Sequence, residues 1–349
     1  MRPVVRVHGR SVASAVLLRC LADKGIAASV APDEPRPGPG APQVLCINDV
    51  ALSLLRDLFP ALWRDGPPGY PLEGRAVLWS DDPRPRLIRQ EALVIDARAL
   101  GERLFALLGD VPVSDIPARW EVNSPDSAAP MIPAGDRVML VARVSLNAPM
   151  RPARSLMESL LDGWVFLAPD SDTTGIVQAM VPLPPRDPGA ALDALLGQST
   201  LVAPAIAGFG TVQVIPAAPA LRVPLAAPGR LHVGHPGARL DPVSGEGLPF
   251  ALRTAILAAA VIGHAHPEDA LRHCNRRVVT SVLSHIDGCA RFYAEAFPTS
   301  RAWRAELGKG AMIRAMLADL DWPEGAALRL DGLSLVPDAL ARPVAEGVS

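Results

Sequence analysis

The sequence predicts a mixed α/β protein: two folding units interleaved along one chain, then a helical C-terminal region. Three observations carry that expectation. Residues 1–31 read as strand, glycine turn, apolar helix and second strand, a βαβ start. The middle of the chain holds Val-rich, alternating segments suited to an antiparallel sheet. Near residue 240 a further strand runs into a glycine turn and a long apolar helix.

The elements follow in order. "RPVVRVHG" ends at Gly9, and "SVASAVLLRCLADKG" (Ser11 to Gly25) is apolar on most faces and closed by glycine, which marks a buried helix. "IAASVA" is the second strand, and "PDEPRPGPGAP" is a loop by composition. Leu52 to Trp63 suits a short helix and Gly74 to Ser80 a strand. "ALVIDARALGERLFALLG" passes from strand to helix, with Leu100, Leu104, Leu107 and Leu108 on one face. Val111 to Pro133 is weakly patterned. "RVMLVARVSL", "GWVFLAP" and "TGIVQAMVPL" are the sheet strands, and Ala190 to Leu196 a helix. From His266 onward the pattern is mostly helical, with Arg291, Arg301, Arg304 and Arg314 on a solvated face. This divides the chain into a Rossmann-like unit (1–73, 92–110 and 215–290), a sheet unit (74–91 and 111–214) and the helical region 291–349.

Composition excludes several classes. A net charge of -2 leaves no basic footprint for nucleic acid. The apolar run Ala255 to Ile262 is too short for a membrane span, and the opening "VVRVHG" is a strand rather than a leader, so a cytoplasmic protein is expected. Cys20, Cys46, Cys274 and Cys289 have no metal-like spacing and read as reduced thiols. His264, His266, His273, Glu268 and Asp269 surround a helix start and read as exposed polar residues, so no metal is expected. No Walker loop or nucleophile elbow occurs, and no catalytic acid or base stands out.

Two turns carry chemistry. A strand–glycine-turn–helix unit aims free backbone N–H groups at a phosphate. Here the three fingerprint positions are Gly9, Ser11 and Ser14, with Arg10 beside them, and the acid that would follow the second strand is displaced to Asp33 or Glu34. The second turn is "GRLHVGHPGARLDPVSGEGLPFALRTA". It resembles the second flavin motif of the group that includes aromatic hydroxylases, geranylgeranyl reductases and flavin-dependent halogenases, G-D-A-A…D-P-x-x-G-x-G-x-x-x-A. Gly234, Asp241, Pro242, Gly245, Gly247 and Ala251 match. His235 replaces the aspartate that binds the ribityl chain in that group. "GWVFLAP" is similar to the halogenase W-x-W-x-x-P strand at Trp164, Phe166 and Pro169. The group's R-x-x-F-D motif falls on Ala97 and Gly101, with Arg98 adjacent, and no D-A-T-G-like stretch precedes Asp136.

The resemblance spans residues 1 to about 290 and implies FAD. Gly9, Arg10, Ser11 and Ser14 would hold its diphosphate, and Asp33 or Glu34 a ribose. His235 and Asp241 would lie by the ribityl and ring region, with Gly245, Glu246 and Gly247 at the pyrimidine edge. Trp164 and Phe166 would meet substrate. The implied activity is a monooxygenase oxidising a small-molecule or peptidyl aromatic substrate, such as an indole or a peptidyl tryptophan, in biosynthesis. Electrons would come from NAD(P)H or a flavin reductase. Halogenation would need a lysine between flavin and substrate, and Lys24 and Lys309 lie in the first helix and the tail. Two other readings stay open: a flavin-free accessory protein of the same fold, and an isoprenoid double-bond reductase.

Overall fold

The computed structural model describes residues 4–32, 44–80, 84–125, 130–318 and 327–338. Seven α-helices occur among them: α1 (Val12–Asp23), α2 (Asp49–Leu58), α3 (Ala97–Leu108), α4 (Pro188–Leu196), α5 (Gly247–Ile262), α6 (Pro267–Ala296) and α7 (Arg301–Ala318). Helix α1 starts where the Ser11 side chain accepts from the Ser14 amide, and stops before Gly25, which is left-handed at φ 66°. Helix α2 begins one turn earlier than the periodicity suggests, because Asn48 caps it. It gives way at Phe59 to a 3-10 turn opened by Pro60, which has no N–H to continue the ladder.

The Rossmann-like sheet is assembled from remote pieces. Val5–Val7 lies between Ala28–Val30 and Trp120–Val122, parallel to both; Arg230–Leu231 extends the sheet in parallel beyond Trp120–Val122, and Ala226–Ala227 closes it antiparallel. Helices α1 and α5 pack together, with α3 on α1, and bury Val16, Leu17, Leu100, Leu104, Leu252 and Ala255 completely. Alanines at 255, 258, 259 and 260 let α5 come close to its neighbours.

The second unit is an eight-stranded, largely antiparallel sheet. Val138–Leu146 pairs with Thr174–Val181, which pairs with Trp164–Pro169 and then Arg154–Ser159; Gly74–Leu78 joins in parallel and Arg86–Ile88 forms the edge. One face packs on α4. The other carries Met139, Met157, Trp164 and Phe166 against Tyr293, Phe297 and Trp303 of the C-terminal segment. A small three-stranded sheet (Met131–Pro133, Ala220–Arg222, Ala238–Arg239) links the two units.

Three expectations are corrected. Trp120–Val122 belongs to the first sheet, not to the sheet unit that was to take all of 111–214. The region beyond residue 291 is not wholly helical: Leu328–Asp331 and Ser334–Pro337 form a hairpin packed near α5. Leu107 is 40% exposed, since the buried stripe of α3 runs through Leu100, Leu104 and Phe105 instead. The arginines at 291, 301, 304 and 314 are exposed as expected. No helix among the described residues is long and apolar enough to cross a membrane.

Candidate functional site

The N-terminal turn joins the first strand to α1. His8 donates its amide to Val122 at 2.9 Å, ending the strand, and Gly9 turns the chain at φ 80°, where a side chain would be strained. The Ser11 hydroxyl takes the Ser14 amide at 3.1 Å and sits 2.9 Å from the Ser14 hydroxyl. This leaves the Val12 and Ala13 amides, the first of the helix, with no acceptor among the described residues. Arg10 is exposed, with its guanidinium 4.4 Å from the centre of the Phe105 ring on α3. A Cβ at Gly101 would stand 3.3 Å from the Arg10 carbonyl, so α3 presses on the turn at the position where the group's aspartate falls. Asp33 and Glu34 lie outside the described residues.

The second turn meets the first. Gly234 is left-handed at φ 61°, donates its amide to Thr254 at 3.0 Å, and is wedged between helices: a Cβ there would lie 3.2 Å from that of Ala13 and 3.4 Å from that of Ala251. His235 is exposed beside it. Crowding by the surrounding protein, and then the charge of Arg239, hold its pKa below the ordinary histidine value. Gly245 is left-handed and open to space. Glu246 caps α5 with its backbone only, its side chain reaching Arg253 at 3.3 Å, so the Gly247 and Leu248 amides have no acceptor among the described residues. The first amides of two helices, α1 capped by Ser11 and α5 without a side-chain cap, thus flank the Gly234–His235 loop.

Asp241 behaves differently from its neighbours. It is 0% exposed and both its oxygens are engaged. Oδ2 takes Arg137 Nε at 2.7 Å; Oδ1 takes the Tyr293 hydroxyl at 2.8 Å and the Val243 amide at 2.9 Å. Arg137 also reaches Glu306 at 3.1 Å, and Glu306 accepts the Asp136 and Arg137 amides at 2.9 and 3.0 Å. Burial works against the Arg137 charge, but Asp241, Tyr293 and Glu306 keep it protonated. Burial, and then Asp241, push the Tyr293 phenol well above its ordinary pKa, so it stays a donor. The Asp241 amide donates to His285 Nε2 at 2.8 Å, which requires that nitrogen to be unprotonated and burial accordingly holds the His285 pKa down.

Trp164 and Phe166 are not presented as an open substrate wall. Trp164 is 2% exposed and donates its indole N–H to Tyr293 at 3.2 Å; Phe166 is 8% exposed, with the Arg75 guanidinium 5.2 Å from its ring centre. Both are sheet core. Sequence reasoning missed Arg137, His285, Tyr293 and Glu306. Only "GDR" ahead of a strand hints at Arg137, because a buried arginine there demands carboxylates from elsewhere. No cluster of metal-ligating side chains occurs among the described residues.

No protein-family model and no curated protein sequence matches the chain. Solved structures do. A peptidyl tryptophan dihydroxylase, QhpG, essential for tryptophylquinone cofactor biogenesis, superposes with a TM-score of 0.73 at 21% identity, over 97% of this chain and 86% of that one. CmlS, a flavin-dependent halogenase, gives 0.71 at 15% identity over 92% and 71%. The myxobacterial chondrochloren halogenase CndH gives 0.68 at 17% over 90% and 89%. The chain therefore has the fold of the FAD-dependent aromatic hydroxylases and halogenases.

Proposed function

We propose that the protein is an FAD-dependent oxidoreductase of the monooxygenase type, acting on an aromatic substrate, either an indole or a tryptophan within a peptide. The observation that carries this reading is the two helix starts on either side of Gly234 and His235, each with its first amides turned free of any acceptor among the described residues. The donor set suits the cofactor. The Val12 and Ala13 amides and Arg10 match a diphosphate, and the Gly247 and Leu248 amides match the electron-rich edge of a flavin. The His235 ring, neutral at pH 7, can give one N–H to a hydroxyl. Asp241 does not join this set, since its oxygens are already taken.

FAD, when bound, supplies electron transfer and reaction with O2. The chain's own residues bind and orient. Gly9 and Gly234 bring backbone close to the ligand, and the Arg137–Asp241 pair fixes the turn that presents Gly245, Glu246 and Gly247. The Tyr293 hydroxyl keeps its proton and donates a hydrogen bond to the buried carboxylate of Asp241. NAD(P)H or a partner reductase would supply electrons.

A second reading, a flavin-free accessory protein, is favoured by the aromatic packing of Tyr293, Phe297 and Trp303 on the face of the large sheet where substrate was expected. One experiment separates the two. The purified protein is given FAD, desalted, and its visible spectrum and melting temperature recorded. Retained flavin bands with a raised Tm support the oxidoreductase; no bands and no shift overturn it in favour of the accessory protein.

A further inference from the structure

A groove of about 570 Å3 opens between the small three-stranded sheet and the edge of the large one. Its walls are mainly apolar, from Met131, Pro133, Val138, Leu183 and Pro216. Three charged residues reach it: Asp136, Arg137 and Arg239. Asp136 is paired with Lys309 at 2.5 Å, and Arg137 with Asp241 and Glu306. Arg239 is the exception. It is half-buried, its Nε donates to the Ala218 carbonyl at 2.8 Å, and no carboxylate pairs with it among the described residues. Burial and the charge of Arg137 both work against its protonated form.

An arginine held in this way has its two terminal nitrogens free, the geometry that takes a carboxylate by two parallel hydrogen bonds. We infer that the groove is a binding site for an apolar organic carboxylate, its acid group on Arg239 and its body along Met131, Pro133, Val138 and Pro216. The volume is that of a small-ligand site. The carboxylate belongs to a free acid or to the C-terminus of an apolar peptide, which present the same chemistry to Arg239. Ala238–Arg239 is the short strand between His235 and Asp241, so the ligand would sit on the segment that joins the two turns. The inference stands whether or not FAD binds.

The test is a calorimetric titration of the full chain, without added FAD, with indole-3-propionate and its amide, and with Ala-Leu-Phe bearing a free or an amidated C-terminus. At least one carboxylate is expected to bind tenfold or more tightly than its amide, and the tighter carboxylate names the source. Arg239→Gln should abolish that preference and Arg239→Lys keep part of it, at an unchanged melting temperature. Equal affinity of acid and amide in the wild-type chain, no saturable binding of either carboxylate, or a preference that survives in folded R239Q would each overturn the site.

Discussion

Arg137 and Asp241 stand 104 residues apart and meet at 2.7 Å, with 3% and 0% of their side chains exposed. Asp241 is the aspartate of the "DPVSGEG" turn, so the second flavin-like motif is anchored through a side chain at the base of the large sheet. Removing the arginine leaves Asp241 buried without a counter-charge and leaves Glu306 with Lys309 alone at 3.3 Å. Arg137→Met should therefore lower stability by about 3–5 kcal/mol in urea unfolding. The triple change Arg137→Met, Asp241→Asn, Glu306→Gln should recover part of that loss, since it removes the orphaned charges.

Gly135 is held by the same cluster. Its φ is 143°, and a Cβ would lie 1.9 Å from Glu306 Oε1. Gly135→Ala should cost about 1–3 kcal/mol through strain and displacement of Glu306. A Gly135→Ala chain as stable as the wild type would show that the loop has room it is not seen to have.

Histidine burial sets an acid limit. Burial, then Arg222 and Arg230, push the pKa of His232 down to about 4. Unfolded chain takes up that proton near the ordinary value of about 6.5, so between those limits the unfolded state binds more protons. Stability is full above the unfolded pKa and falls as pH drops, by about 3 kcal/mol from this residue once pH reaches the folded value. The lowered values of His235, His273 and His285 act in the same direction. Urea midpoints from pH 7.5 to 4.5 should fall accordingly, with a shallower slope in His232→Gln.

Burial also protects the thiols. It pushes Cys20 and Cys274 up to about 12 and Cys289 higher still. Native protein at pH 8 should leave these three unmodified by iodoacetamide over an hour, and mass spectrometry should find them alkylated once urea is added.

The N-terminal turn separates side chain from backbone. Ser11→Ala removes the α1 cap and should cost about 1 kcal/mol. It also frees the Ser14 amide while leaving those of Val12 and Ala13 in place. Any FAD affinity measured for the wild type should therefore persist within about threefold, read by flavin fluorescence quenching.

Local signals carried much of this far. Gly9, Ser11 and Gly25 bracket α1 in the sequence as they do in space, and Gly245 and Gly247 announce α5. What stayed hidden depends on distant partners. Tyr293 lies on α6, Glu306 on α7 and Arg137 in the loop ahead of Val138–Leu146, and nothing within a few residues of any of them points to Asp241. The orientation of Trp164 was equally hidden, because its strand is buried on both faces and alternation gives no direction. The C-terminal hairpin was missed because "LRLDGLSLVP" is too short to show a period against the helices before it.

The make-up of the first sheet bears on how the protein is born. Val5–Val7 finds Ala28–Val30 early in synthesis, but its other neighbour is Trp120–Val122, and Arg230–Leu231 comes later still. A ribosome must therefore release most of the chain before the sheet behind the two glycine turns can close. Until then Val5, Val7 and Val122 are uncovered, and the nascent chain needs shelter from aggregation for longer than a chain whose first sheet forms from consecutive strands.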